Sequence, residues 1–86
     1  MCKVSTMVIV LGNRVETATE VQSILTKYGC HIKARLGLHE ADEDTCSNCG
    51  VVFLQLTGEE TSFKALEQEL NNVPATKAQL VQVSLD

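Results

Sequence analysis

The chain has few aromatic residues, one proline and no excess of positive charge, and each shortage narrows what it can be. Of its 86 residues only 3% are aromatic, so the core must be built from Val, Leu, Ile and Ala. A single proline and 44% hydrophobic residues indicate a folded domain rather than a disordered chain. The net charge of −4 gives no basic surface for a phosphate backbone, so we predict no direct binding to nucleic acid.

Sequence signals for membranes, export and catalysis are also missing. The apolar stretch at residues 7–11 is far too short to cross a bilayer, and no signal-peptide cleavage site follows it. No nucleophile motif, phosphate-binding loop or dinucleotide glycine motif is present. We therefore expect a non-enzymatic, cytoplasmic protein that is not bound to a membrane and whose four cysteines are not structural disulfides.

The spacing of apolar residues predicts six elements within one domain at residues 1–86. Strands are predicted at residues 3–11, 30–39, 50–57 and 77–85, and helices begin near residues 15 and 59. The first helix should stop at Gly29 and the second before Pro74. The first and third strands are apolar almost throughout, which is typical of central strands buried on both faces.

The order β-α-β-β-α-β predicts an α+β fold, the ferredoxin-like sandwich. Its four-stranded antiparallel sheet should have the order 4-1-3-2, with both helices on one face. Two helices cover only one side of such a sheet, and the central strands carry apolar residues on both sides. The uncovered side predicts self-association, most simply as a two-fold homodimer.

The second strand alternates in polarity, which is typical of a half-buried edge strand. Ile32, Ala34, Leu36 and Leu38 should share one side of it. The polar residues between them should face the other way.

Residues 8–38 resemble the first half of an ACT-type regulatory domain. The shared pattern is an apolar strand, the turn Gly12-Asn13-Arg14, a helix ending in Lys-Tyr-Gly and an alternating strand. Asn13-Arg14 stands where the family often has Asp-Arg, whereas Val15-Glu16 replaces its usual Pro-Gly. The resemblance implies an ACT-like fold and a regulatory domain that takes a small-molecule effector.

A ligand site is expected where the first strand meets the first helix. Free N–H groups at a helix N-terminus favour anions, and Arg14 adds a positive charge there. We expect a bound small molecule to touch Gly12, Asn13, Arg14 and Leu38.

Over nearly its full length the chain is similar to small stand-alone ACT-like proteins described as regulators of the iron-only hydrogenase system. The segments that carry this similarity are GNR, KYG, IKARLGL and GVVFLQLTGEE. The similarity implies a cytoplasmic homo-oligomer without enzymatic activity.

A group of soft metal ligands follows the second strand. His39 precedes an acidic run and the pair Cys46-Ser47-Asn48-Cys49. The predicted topology brings residues 12–14, 39–50 and 71–74 to one end of the sheet, so His39, Cys46 and Cys49 can share a zinc or iron ion with a fourth position left open. A redox pair and two thiols without a function are the alternatives.

A more distant similarity is to the metal-sensing domain of nickel-responsive repressors. That family has histidine ligands at the end of its second strand and a cysteine at the start of its third. His39 and Cys49 stand at comparable places, while Gly37 replaces the second histidine. The similarity adds nickel to the candidate metals, and the identity of any ligand or cofactor stays open.

Overall fold

The computed structural model describes residues 2–12, 15–39 and 49–85, with Val15, Leu38, His39 and Cys49 described by their backbone alone. The chain forms four strands, two α-helices and one short 3₁₀ turn. Their bounds are β1 Cys2–Gly12, α1 Val15–Lys27, the 3₁₀ turn Gly29–His31, β2 Ile32–His39, β3 Cys49–Leu56, α2 Glu60–Asn71 and β4 Thr76–Leu85.

The four strands form one antiparallel sheet in the order β2-β3-β1-β4. This is the predicted order 4-1-3-2 read from the other edge, so the ferredoxin-like fold is confirmed. β1 and β3 lie in the centre, as their continuous apolar sequences indicated, because only central strands have both edges and both faces available for burial.

Both helices pack on one face of the sheet, which is called the covered face below. Alternate residues of the central strands point to it and are buried, as Met7, Ile9, Leu54 and Leu56 show. The helices add one apolar stripe each. These stripes contain Val21 and Leu25 of α1, and Phe63, Leu66 and Leu70 of α2. The other face has no element of residues 2–12, 15–39 and 49–85 over it and is called the open face.

The predicted sides of β2 hold for Ala34, Leu36 and Leu38, whose positions share one face, but not for Ile32, which belongs to the other face. Ile32 pairs with the buried Leu56, but the register then shifts, so that Ala34 pairs with Gln55 and Leu36 with Phe53. A β-bulge of this kind inserts one residue and reverses the alternation beyond it. Ala34 and Leu36, and by register the backbone position of Leu38, therefore belong to the open face.

Helix α2 is fastened to the edge strand β4 by its polar side chains as well as by its apolar stripe. The Asn71 amide donates to the Ala78 carbonyl at 3.0 Å and accepts from the Ala78 N–H at 2.8 Å. Glu67 accepts from the Leu80 N–H at 2.7 Å. These contacts satisfy backbone groups along the free edge of β4.

In the part of the chain that the structure describes, neither helix has the length and apolar character needed to cross a membrane.

Candidate functional site

The end of β1 is held against the turn between α2 and β4. The Gly12 N–H donates to the Ala75 carbonyl at 2.8 Å, and the Thr17 hydroxyl donates to the Pro74 carbonyl at 3.4 Å. A side chain at position 12 would place its Cβ 3.1 Å from the Ala75 Cβ, so any other residue would require Ala75 to move by a few tenths of an ångström. Ala75 itself has a φ of +58°, a left-handed conformation that costs about 1–2 kcal/mol for a residue with a Cβ.

The strand register brings most of the predicted site positions to this end of the sheet. Gly12 pairs with Cys49, and Gly50 lies between Leu11 on one side and His39 on the other. The backbones of His39, Cys49 and Gly12 thus lie at the same end of the sheet. Leu38 immediately precedes His39 in β2.

Several predicted site residues lie outside the described residues. Asn13, Arg14 and Cys46 are among them, and the side chains of Leu38, His39 and Cys49 are as well. Among the side chains that the structure does describe, no three His, Cys, Asp or Glu groups could hold a metal ion together. The metal site at His39, Cys46 and Cys49 and the ligand contacts of Asn13 and Arg14 therefore stay predictions.

A cavity of about 290 Å³ lies between α1 and the β2–β3 half of the covered face, and it begins at Gly12. Its apolar lining is supplied by Leu11, Val21 and Val52, with the small Ala18 on the helix side. This volume is at the lower limit of the roughly 300–1,000 Å³ range of ligand pockets. We call it the α1 cavity.

The α1 cavity exists because small residues meet there. Three of the five glycines of the chain line it, one from each of three adjacent strands: Gly12, Gly37 and Gly50. Gly37 pairs with Val52, which packs against the core, so a side chain at position 37 would point to the covered face. A Cβ built there meets no atom within 4 Å. The space is thus open rather than filled by a neighbour.

One polar pair stands at the open side of the α1 cavity. Arg35 pairs with the buried Leu54, so it starts on the covered face and reaches α1, where its guanidinium donates to the Gln22 side-chain carbonyl. Both side chains are exposed and both line the cavity. The sequence reading placed Arg35 on the opposite side of β2 and gave Gln22 no role. Three glycines at one end of three predicted strands were the available signal, because glycine in a strand often marks a close approach or a gap.

The open face is a second candidate for binding, because several of its apolar side chains are exposed. Its exposed apolar side chains include Leu36 at 58% and Phe53 at 40% exposure, which are cross-strand partners, and Val83 at 63%. Of the described strand positions that the register assigns to this face, only Lys77 is charged. A broad, shallow depression of about 470 Å³ lies across it, lined by Val8, Phe53 and Val81 among others.

Comparison with known proteins gives structural neighbours only. No family model matches the sequence. No curated protein matches it either.

The solved structures that share the fold include the following three. An uncharacterized protein of Thermotoga maritima superposes with a TM-score of 0.84 at 21% identity, covering 96% of this chain and 100% of the neighbour. The ACT domain of GTP pyrophosphokinase from Chlorobium tepidum gives a TM-score of 0.72 at 10% identity, with 91% of this chain and 96% of the neighbour covered. A formyltetrahydrofolate deformylase of Pseudomonas putida gives 0.60 at 12% identity over 91% of this chain and 28% of the enzyme. The chain therefore has the ferredoxin-like fold of an ACT domain.

Proposed function

We propose that this protein is a non-enzymatic regulatory domain that binds a small molecule beside the turn between β1 and α1 and self-associates through its open face. The observation that carries the proposal is the α1 cavity, which adjoins Gly12 at the point where α1 begins. The first N–H groups of a helix have no partner within the helix, so they are available to a ligand near that point. The similarity in fold to a domain named as the ACT domain of a GTP pyrophosphokinase supports a regulatory role.

The five glycines allow a direct test of where a ligand binds. Gly12, Gly37 and Gly50 line the α1 cavity, whereas Gly29 and Gly58 lie at the other end of the sheet. In a two-dimensional ¹H–¹⁵N NMR spectrum, glycine amides usually fall in a separate region. A small-molecule screen should find ligands that shift the first three signals and leave the other two unchanged. Ligands that shift only Gly29 and Gly58 would contradict the proposed place of the site.

Self-association is proposed because the open face carries several exposed apolar side chains, with Leu36, Phe53 and Val83 among them. Exposed apolar patches of this kind are a mark of protein interfaces. The charge on the described positions of the face is limited to Lys77, so two copies can approach with little repulsion between them. In a two-fold dimer the same face of the second copy would cover the depression over Val8 and Phe53.

Light scattering after gel filtration tests this part of the proposal. We expect a mass of at least twice the 9.4 kDa of one chain at micromolar concentration. Leu36→Lys adds a charge to the open face and should reduce the mass to that of one chain. Gln68→Lys, which adds the same charge to the exposed side of α2, should not. A mass of 9.4 kDa for the unmodified protein would refute self-association through this face.

The more specific role of a regulator in the iron-only hydrogenase system rests on sequence resemblance. It is tested by co-purification with the components of such a system. An unchanged hydrogenase activity in cells without the gene would argue against it.

Metal binding at His39, Cys46 and Cys49 is a second candidate function. It is supported by the group of soft ligands in the sequence and by the closeness of the backbones of His39 and Cys49, although His39 pairs with Gly50 and so belongs to the face opposite to Cys49. If the site exists, Cys46→Ser and Cys49→Ser should remove zinc or iron bound after anaerobic purification. Cys2→Ser should not, because Cys2 lies at the opposite end of β1. Protein that stays metal-free with both metals supplied would refute the site.

A further inference from the structure

The α1 cavity combines an apolar interior with hydrogen-bond donors at its open side. Leu11, Val21 and Val52 give the interior no group that could bond a polar atom through a side chain. Among the described residues, the polar side chains that line the cavity are Arg35 and Gln22. A ligand that fits must therefore place its polar end near this pair and its apolar end in the interior.

The geometry of the pair selects the charge of that polar end. The guanidinium of Arg35 donates to the side-chain carbonyl of Gln22, so the acceptor of Gln22 is already engaged. What remains is the NH₂ group of Gln22, the other N–H groups of Arg35 and the second lone pair of the Gln22 carbonyl, so donors predominate. The Gln22 amide is neutral, so this contact leaves the positive charge of Arg35 in place. A guanidinium matches the two oxygens of a carboxylate with parallel hydrogen bonds.

Ion pairs elsewhere do not compete for this arginine. Among the described residues, the salt bridges join Lys3 and Lys64 to Glu60, and Lys27 to Glu69. Glu60 begins α2 beside Lys3, so its two pairs lie toward the end of the sheet opposite Gly12, and the third pair joins the end of α1 to the last turn of α2.

We infer that the α1 cavity binds a small monocarboxylate with a short apolar tail, whose carboxylate is held by Arg35 and Gln22. This inference rests on the proposed function, because it names the ligand class of the same site. The tail would lie in the space that Gly37 leaves open opposite Ala18. A volume of about 290 Å³ has room for a tail of a few carbon atoms.

Three related probes separate the parts of the inference. 3-Methylbutanoate has the charge and the tail, 3-methylbutanamide has the tail without the charge, and acetate has the charge without the tail. A charge-assisted hydrogen bond contributes about 1.5–3 kcal/mol, so the acid should bind at least about tenfold more tightly than the amide. Three further carbons buried at about 0.8 kcal/mol each should separate it from acetate by tenfold or more. Glycine amide shifts in NMR titrations give all three dissociation constants.

Variants then assign the effect to residues. Arg35→Gln should bring the acid and the amide to within about twofold of each other, while binding of the amide is kept. Lys33→Gln removes the same charge from the same strand and should leave the preference unchanged. Gly37→Val fills the cavity and should weaken both probes with a tail at least tenfold, and Ala18→Leu repeats this from the helix side. Unchanged dispersion of the NMR spectrum shows that each variant is folded.

The outcomes distinguish the inference from the function on which it rests. Equal binding of acid and amide, or a preference that survives in Arg35→Gln, overturns the ligand class. The same holds if none of the three probes binds. If other molecules from the screen still shift Gly12, Gly37 and Gly50, the proposed function stands without it. If no molecule shifts these three signals, both fall.

Discussion

Helix α2 and helix α1 lie on the same face of the sheet, but they cover its two halves differently. On the α2 half, Leu66 and Leu70 are fully buried and Asn71 and Glu67 bond the backbone of β4. On the α1 half, a cavity of about 290 Å³ remains over β2 and β3, and the exposed Arg35–Gln22 contact lies at its open side. The comparison teaches that one half is built for stability and that the other keeps space that a ligand can occupy.

The largest expected effect comes from truncating the packed half. Leu66 has no exposed surface, so Leu66→Ala should lower the free energy of unfolding by about 2–5 kcal/mol, from lost apolar burial and the cavity left behind. Urea unfolding at a fixed protein concentration measures it. A loss below 1 kcal/mol would show that the α2 half is no better packed than the α1 half.

A larger side chain should destabilise the α2 half and should not destabilise the α1 half. Ala78 and Gly37 both lie on edge strands and both point to the covered face. Ala78→Leu should cost about 1–3 kcal/mol because it overpacks the α2 half. Gly37→Val should cost nothing or stabilise the protein, because a Cβ there meets no atom within 4 Å and valine suits a strand. Equal losses in thermal unfolding would mean that the α1 cavity closes in solution.

The polar contacts of the two halves differ in the same way. Asn71→Ala leaves the N–H and the carbonyl of Ala78 without their partner, which should cost about 1–2 kcal/mol. Gln22→Ala removes an exposed contact and should change stability by no more than about 0.5 kcal/mol. Chemical denaturation of both variants under one set of conditions provides the comparison. A larger loss for Gln22→Ala would make its contact with Arg35 structural rather than available to a ligand.

The smallest effect concerns the bridge between the end of α1 and the last turn of α2. The carboxylate of Glu69 in α2 accepts a hydrogen bond from the hydroxyl of Tyr28, which follows α1. The Lys27 ammonium lies 3.1 Å from the same carboxylate. The hydrogen bond from Tyr28, followed by that from Lys27, lowers the pKa of Glu69 below its ordinary value of 4.5. The same hydrogen bond raises the pKa of Tyr28.

A lowered carboxylate pKa means that the unfolded chain binds the proton more readily. The stabilisation from Glu69 is therefore complete above pH 4.5 and is lost as the pH falls through the folded pKa. Glu69→Gln should lower the urea midpoint of unfolding at pH 7 and should lower it less at pH 3. Tyr28→Phe should reduce this dependence on pH, because it removes the hydrogen bond that contributes most to the lowered pKa of Glu69. A difference that does not change with pH would show that the bridge is absent in solution.

Local sequence predicted the fold well because strands and helices have different periods. The bounds of β1, β3 and α1 agree with the predicted ones to within about two residues. The central positions of β1 and β3 followed from their apolar residues on both faces. The site was predicted less well, because a site depends on contacts between distant segments. Gly12 was found from its place before a helix, but the Arg35–Gln22 pair and the α1 cavity were not.

By itself, the sequence determined the order of the elements, the central strands and the glycines at one end of three strands. The tertiary structure decided which side of β2 each residue occupies, since the register shift between Ile32 and Ala34 arises from pairing with β3 and not from the alternation within β2. That single shift directs Arg35 to the covered face and Leu36 to the open face. Cross-strand pairing is a contact between segments far apart in the chain, and no local period encodes it.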